Sequence, residues 1–246
     1  MGDWLGLQGR RALVVGAGGF GTACSRELVR SGAEVYLADR DEEQLAAVEE
    51  PAVRTGVWDV VEAGASEALV AEAAAALGGL DVMIHAVGVN DRRPLLELEL
   101  DNWQRVLDVN LTSAFTLGSA AGRRMVEQGH GRIVFFSSVS GLLAHPHHAP
   151  YAASKGAMNM LAKVMAVEWA DKGVTVNAVA PGYTESALTQ AYLARPGVRE
   201  GLEGKVPARR LGTLDDVVGP VLFLCSSRAA FMTGQVLYVD GGRTLD

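Results

Sequence analysis

Short apolar, β-branched runs alternate along the chain with longer stretches whose apolar residues recur every three or four positions. The runs predict strands and the stretches predict helices. Arg11–Val15 (RALVV) predicts a buried strand, 19–31 a helix, and Gly32 its stop. Further strands are predicted over 34–38, Val53–Val57, 81–86, 132–137, 174–180 and 235–239. The intervening helices are predicted over 41–49, 66–77, 101–127, 150–172 and 214–226. Pro150 suits the first position of its helix. Apolar strands alternating with helices imply βαβ units and a parallel sheet covered on both faces. The alternation runs without a linker, so the expectation is one domain over 1–246: a doubly wound α/β fold of about seven strands. Segment 186–206 breaks the rhythm after a strand's carboxyl end, where such sheets bind ligands, and reads as a lid.

After the first strand stands Gly16-Ala17-Gly18-Gly19-Phe20-Gly21, in which Gly16, Gly18 and Gly21 match G-x-G-x-x-G. The match is weak alone, but here a strand precedes it and a helix follows. Glycines permit the tight turn and let backbone N–H groups reach a pyrophosphate at the helix N-terminus. Gly16, Gly18, Gly19, Phe20 and Gly21 are the candidate phosphate-loop residues. The second strand ends in Asp39, 23 residues after Gly16. A carboxylate there accepts hydrogen bonds from the adenosine ribose and repels a 2′-phosphate. Asp39 therefore favours NAD, while Arg40 leaves NADP open, because an arginine nearby accommodates a 2′-phosphate.

Composition removes several other readings. The 29 glycines among 246 residues follow no period, which excludes collagen-like and low-complexity chains. With 22 basic and 29 acidic residues the net charge is −7, and no Lys/Arg block suggests a nucleic-acid partner. No apolar run is long enough for a membrane helix. Two cysteines, Cys24 and Cys225, make no disulfide framework, and the expected location is the cytoplasm.

Tyr151-Ala-Ala-Ser-Lys155 opens the helix predicted from Pro150. Residues four apart share a helical face. A lysine ammonium beside a phenol favours the phenolate, bringing the Tyr pKa down toward working pH. Tyr151 is thus a candidate general acid/base. Ser138, thirteen residues earlier at a strand end, would face the same cleft.

With these motifs in place the chain resembles the short-chain dehydrogenase/reductase family in its compact form, nearly end to end, from LQGRRALVVGAGGFG to GQVLYVDGG. The resemblance implies that Ser138 orients the substrate oxygen, Tyr151 passes its proton, and Lys155 lowers the Tyr pKa and holds the nicotinamide ribose. Asn110 would hold a water of the proton relay. Pro181-Gly182 matches the family's P-G, which implicates Thr184 and Ser186 in docking the carboxamide. Asp59-Val60 matches the D-V that contacts adenine. Two departures stand out. The glycine loop is one residue short of the family's T-G-x-x-x-G-x-G and carries Val15 for the Thr. The family's N-N-A-G appears as His85-Ala86-Val87-Gly88, so the sheet-bracing Asn is replaced; Ala86 and Gly88 would still lie against the cofactor, and His85 fits a core histidine.

The expected reaction interconverts a secondary alcohol and a ketone with NAD, or NADP; the substrate is a small molecule such as a sugar acid, polyol or cyclic ketone. A 3-oxoacyl-carrier-protein reductase is the alternative, and a non-catalytic dinucleotide-binding relative the alternative of another class. Arg92 in Asn90-Asp91-Arg92-Arg93-Pro94 would meet a carboxylate, or else be a solvated loop arginine. Ser140, His148, Tyr183 and Tyr192 are the other candidate substrate contacts. His145, His147 and His148 cluster without ligand spacing, so no metal is expected. A homotetramer is expected through the two long helices, with Met158, Leu161, Met165 and Trp169 as apolar residues toward the symmetry mates, or else facing their own sheet.

Overall fold

A computed structural model describes residues 3–48, 50–185 and 187–245. Seven parallel strands form one sheet: β1 (Arg11–Val15), β2 (Glu34–Asp39), β3 (Val53–Val57), β4 (Val82–His85), β5 (Gly131–Phe136), β6 (Val174–Pro181) and β7 (Val236–Val239). Their order is β3-β2-β1-β4-β5-β6-β7, so the direction of winding reverses between β1 and β4 and opens a crevice at their carboxyl ends. There Val15 lies in register with His85.

Successive strand residues point to opposite faces. In β1, Leu13 and Val15 enter one core with α3 (Ala65–Leu77), α5 (Ser113–Gln128) and α6 (Ala149–Trp169). Ala12 and Val14 enter the other, with α1 (Gly19–Arg30), α2 (Glu42–Ala46) and α9 (Leu214–Cys225). The fold class matches the sequence expectation. No helix among the described residues is long and apolar enough to cross a membrane.

Four expectations change in detail. The helix predicted over 101–127 is two helices, α4 (Leu100–Leu107) and α5, joined by a π-helical turn over Asp108–Thr112. The helix predicted over 41–49 is only Glu42–Ala46, capped by the Asp41 side chain; Glu49 lies outside the described residues. Segment 186–206 holds two short helices, α7 (Ala187–Leu193) and α8 (Val198–Glu203). Met158 and Met165 are buried in their own core, and Leu161 and Trp169 pack against it. They are not surface residues. The exposed apolar side chains of the long helices are instead Phe115, Met160, Val164 and Val167.

Candidate active site

The glycine loop joins β1 to α1, and its glycines serve different ends. Gly16 has φ +104°, and a Cβ there would lie 2.8 Å from the Ala86 carbonyl carbon. A Cβ on Gly21 would lie 1.7 Å from the Gly16 oxygen. Both are required by the protein's own packing. Gly18 is different. It is the N-cap of α1, no side chain caps that end, and a Cβ there would meet nothing within 4 Å. An uncapped helix N-terminus with open space above it fits a pyrophosphate. Phe20 stacks on Phe136 with ring centroids 5.0 Å apart, so its ring serves the core.

Asp39 Oδ2 accepts from Ala17 N at 2.6 Å, and Oδ1 from Asp41 N at 2.9 Å. The carboxylate thus braces the glycine loop as well as facing the crevice. Arg40 is paired: its Nη1 is 3.7 Å from Asp59 Oδ2. A hollow of about 570 Å³ beside this pair is lined also by Asp41, Val57 and Glu62. Val60 turns into the core.

Across the switch point, a Cβ on Gly88 would be 3.5 Å from Lys155 Nζ and 3.8 Å from Asn110 Oδ1. The β4 exit therefore runs directly over the proposed catalytic groups. Asn110 is fully buried. Its Oδ1 accepts from Val89 N at 2.8 Å, and its Nδ2 donates to Val89 O and to Ser154 Oγ, each at 3.0 Å. Ser154 Oγ donates to Tyr151 O at 2.7 Å.

Ser138 follows β5, and its hydroxyl acts on the Tyr151 phenol, drawing its pKa down against burial. Its Oγ also accepts from Ser140 N at 3.1 Å. Lys155 Nζ lies 5.6 Å from the Tyr151 ring centroid and donates to Phe136 O at 2.6 Å. Burial pulls this lysine down to about 7. Burial raises Tyr151, and the groups opposing that rise are the Ser138 hydroxyl and the Arg92 charge.

Pro181 ends β6, and Gly182 packs on Asp240, where a Cβ would lie 2.8 Å from that residue's Cα. Thr184 bridges Gly212 and its Oγ1 donates to Gly182 O. Ser186 lies outside the described residues.

The substrate side is more ordered than its loops suggested. Asp91 is buried between Arg93 Nε at 2.7 Å and Arg105 Nη2 at 3.7 Å. That anchor presents Arg92 outward, 4.9 Å from the Tyr192 ring centroid. His145 links Ser140 Oγ, at 3.3 Å, to Tyr183 OH, at 3.1 Å. His148 caps α6, its Nδ1 donates to Pro146 O, and its ring lies 6.3 Å from that of Tyr151. The Asp91 anchor and the His145–Tyr183 link escaped the sequence reading, because Tyr183 lies 38 residues from His145. Among the described residues no group of three His, Cys, Asp or Glu is placed to hold a metal.

A family model described as enoyl-(acyl carrier protein) reductase matches residues 15–244. Gluconate 5-dehydrogenase of Gluconobacter oxydans (strain 621H) is 37% identical over 99% of this chain and 98% of its own. The chain belongs to the short-chain dehydrogenase/reductase family. Two other members show the spread of the family. The 3-oxoacyl-[acyl-carrier-protein] reductase of Escherichia coli (strain K12) is 33% identical over 97% of this chain and 98% of its own. The crystal structure of a gluconate 5-dehydrogenase from Burkholderia cenocepacia J2315, in complex with NADP and tartrate, superposes with a TM-score of 0.93. It is 37% identical and covers 99% of this chain and 98% of its own. As a short-chain dehydrogenase/reductase, this protein is an NAD(P)-dependent oxidoreductase.

Proposed function

We propose that the protein interconverts a secondary alcohol and a ketone, prefers NAD, and takes a small polyhydroxy carboxylate as substrate. The observation that carries the chemistry is the Ser138–Tyr151–Lys155 cluster, assembled under Gly88 at the open end of the sheet. The bound dinucleotide supplies the hydride acceptor or donor. The loop from Gly16 to Gly21, Asp39, Gly88, Lys155 and Thr184 are the residues to hold it. Ser138 donates to the substrate oxygen and fixes its distance from Tyr151. Tyr151 takes the hydroxyl proton in oxidation and returns it in reduction. Asn110 holds the β4 exit over this cluster through Val89.

NAD preference rests on Asp39, whose carboxylate stands at the end of β2, and on Arg40, which is paired with Asp59. A carboxylate substrate is supported by charge. Arg92 acts on Tyr151 and His148, and Arg243 and Lys205 act on His145. Cations thus gather around this rim in a chain whose net charge is −7. The relatives that act on gluconate are consistent with that reading. The second reading, a 3-oxoacyl-carrier-protein reductase, has the E. coli relative in its favour.

A screen of sugar acids, polyols, cyclic ketones and a 3-oxoacyl thioester with NAD(H) and NADP(H), followed at the nicotinamide absorbance, separates these readings. Sugar acids with NAD(H) should be turned over best. Faster reduction of the thioester with NADPH would favour the second reading, and dinucleotide binding without turnover a non-catalytic relative. The exposed Phe115, Met160, Val164 and Val167 support a homotetramer, which light scattering at micromolar concentration tests.

A further inference from the structure

His85 opens the stretch that resembles the family's N-N-A-G, and it is fully buried at the end of β4. Its Nε2 lies 2.8 Å from Ser113 Oγ. Ser113 is the residue at which the π-helical turn returns to α-helix, and its N–H reaches back five residues to Asp108 O. The skipped carbonyl, Val109 O, accepts instead from Ser113 Oγ, at 2.6 Å. That bond commits the only proton of the serine hydroxyl. Ser113 Oγ can then only accept from His85, so the imidazole carries its proton on Nε2. Burial, with Lys155 as the nearby charge, pushes the His85 pKa down to about 3, so the ring stays neutral across the working range. Lys155 is the one side-chain charge that acts on this ring.

The turn secured in this way is the one that carries Asn110. An α-helical Ser113 N–H would bond Val109 O; the π-turn adds one residue to that loop and advances Asn110 by about 100° around the axis. In this π register the Asn110 amide meets Val89 and Ser154 together. We propose that His85 is a positioning residue: its Nε2–H and the Ser113 hydroxyl lock the π register of Asp108–Thr112, and thereby hold Asn110 and the β4 exit over Tyr151 and Lys155. This inference rests on the catalytic assignment for its kinetic consequences, but the lock itself is independent of turnover.

The lock is read first without turnover. In the wild-type protein, ¹H–¹⁵N spectra of the histidine rings should show His85 as the Nε2–H tautomer, unchanged between pH 5 and 9. An Nδ1–H tautomer, or titration of His85 within that range, overturns the proposal. Replacement then separates hydrogen bonding from packing. Gln places an N–H donor near the Nε2 position, whereas Leu fills similar volume with none. His85→Gln should keep kcat within about threefold of wild type, while His85→Leu should lose about tenfold or more in kcat with unchanged dinucleotide affinity, the scale of one lost hydrogen bond. Ser113→Ala should reproduce the Leu phenotype with a folded protein, since alanine is at home in a helix. Equal activity of the Leu, Gln and Ala variants and wild type overturns the lock, as does equal damage by Gln and Leu. Were the wild type to turn over no substrate, the proposed function would fail while the tautomer result still stood.

Discussion

At the amino ends of β1 and β4, Asp81 accepts from Arg11 N, Arg11 Nε and Nη2 and His130 Nε2, all between 2.7 and 2.9 Å. At the carboxyl ends of the sheet, Lys155 is buried and donates to Phe136 O, and His85 keeps a buried Nδ1 without a partner among the described residues. The first arrangement pairs a buried charge and satisfies both of its oxygens, so that removing a partner would leave an uncompensated charge. The second leaves ionisable groups desolvated and shifted, which costs stability and creates reactivity. One sheet thus carries its staple at one edge and its chemistry at the other. Substitutions at the two ends should therefore separate stability from turnover.

The largest effect is expected at the chemical end. Tyr151→Phe removes the hydroxyl and keeps the ring. Positioned proton transfer is worth about 10²–10⁴-fold. Turnover should fall by that factor, with the melting temperature and dinucleotide affinity preserved. Because burial raises the phenol, wild-type oxidation should still be climbing at the alkaline end of a pH profile. Near-normal turnover of Tyr151→Phe would move the role elsewhere, with His148 the next to test.

The structural end should behave in the opposite way. Burial works to raise the Asp81 carboxyl, but the Arg11 hydrogen bonds and charge and the His130 bond outweigh it and hold it well below its ordinary value of 3.8. A depressed carboxyl contributes stability that is present above the unfolded pKa and is lost as pH falls through the folded one. Asp81→Asn should cost about 3 kcal/mol in denaturant unfolding at neutral pH, since it breaks a buried pair. The gap to wild type should close only below about pH 4. A mutant with full stability but impaired kcat would contradict the division between the two ends.

The legible parts of this molecule are those in which neighbours in sequence are neighbours in space. RALVV announces β1, and Tyr151 and Lys155 share a helical face because they are four apart. What stayed hidden needed distant partners. The π-turn differs from an α-helix by one residue of hydrogen-bond register, and what secures it is His85, 28 residues from Ser113. Asp91 is paired with its neighbour Arg93 and also with Arg105, which reaches it from α4. Whether Met158 and Met165 face the sheet is not legible in sequence, because a helix apolar on several sides does not declare which side meets it. Burial of Lys155 and Tyr151 is likewise a tertiary fact that their spacing of four does not carry.

Asp39 touches both properties and should show an intermediate effect. Its bond to Ala17 N braces the glycine loop, so Asp39→Ala should weaken both dinucleotides. The ratio is the informative readout. A hydrogen bond to a charged group is worth about 1.5–3 kcal/mol. NAD preference in the wild type should therefore be about ten- to hundredfold and should narrow in the mutant, measured as kcat/KM for each cofactor. Better use of NADPH than NADH by the wild type would sink the assignment.

The smallest effects sharpen the comparison within the chemical end itself, because two helices begin there with opposite treatments. The N-terminus of α9 is closed by its own residues: Thr213 Oγ1 accepts from Asp216 N at 3.2 Å, and Asp216 Oδ2 accepts from Thr213 N at 2.8 Å. The N-terminus of α1 has Gly18 and no side-chain cap. If the open end is kept for a pyrophosphate and the closed one only ends a helix, the two sites should respond in crossed fashion. Thr213→Ala should cost about 1 kcal/mol of stability, a fall of about 2–4 °C in Tm for a chain of this size, with unchanged NAD affinity. Gly18→Ala meets no atom in the protein, so Tm should hold. The added methyl stands where the ligand's phosphates approach the backbone, and NAD affinity should fall about tenfold, or about 1.4 kcal/mol. Calorimetry of unfolding and of NAD binding on both variants reads the whole cross. Equal losses of affinity in the two would mean that the bare end of α1 has no special claim on the dinucleotide.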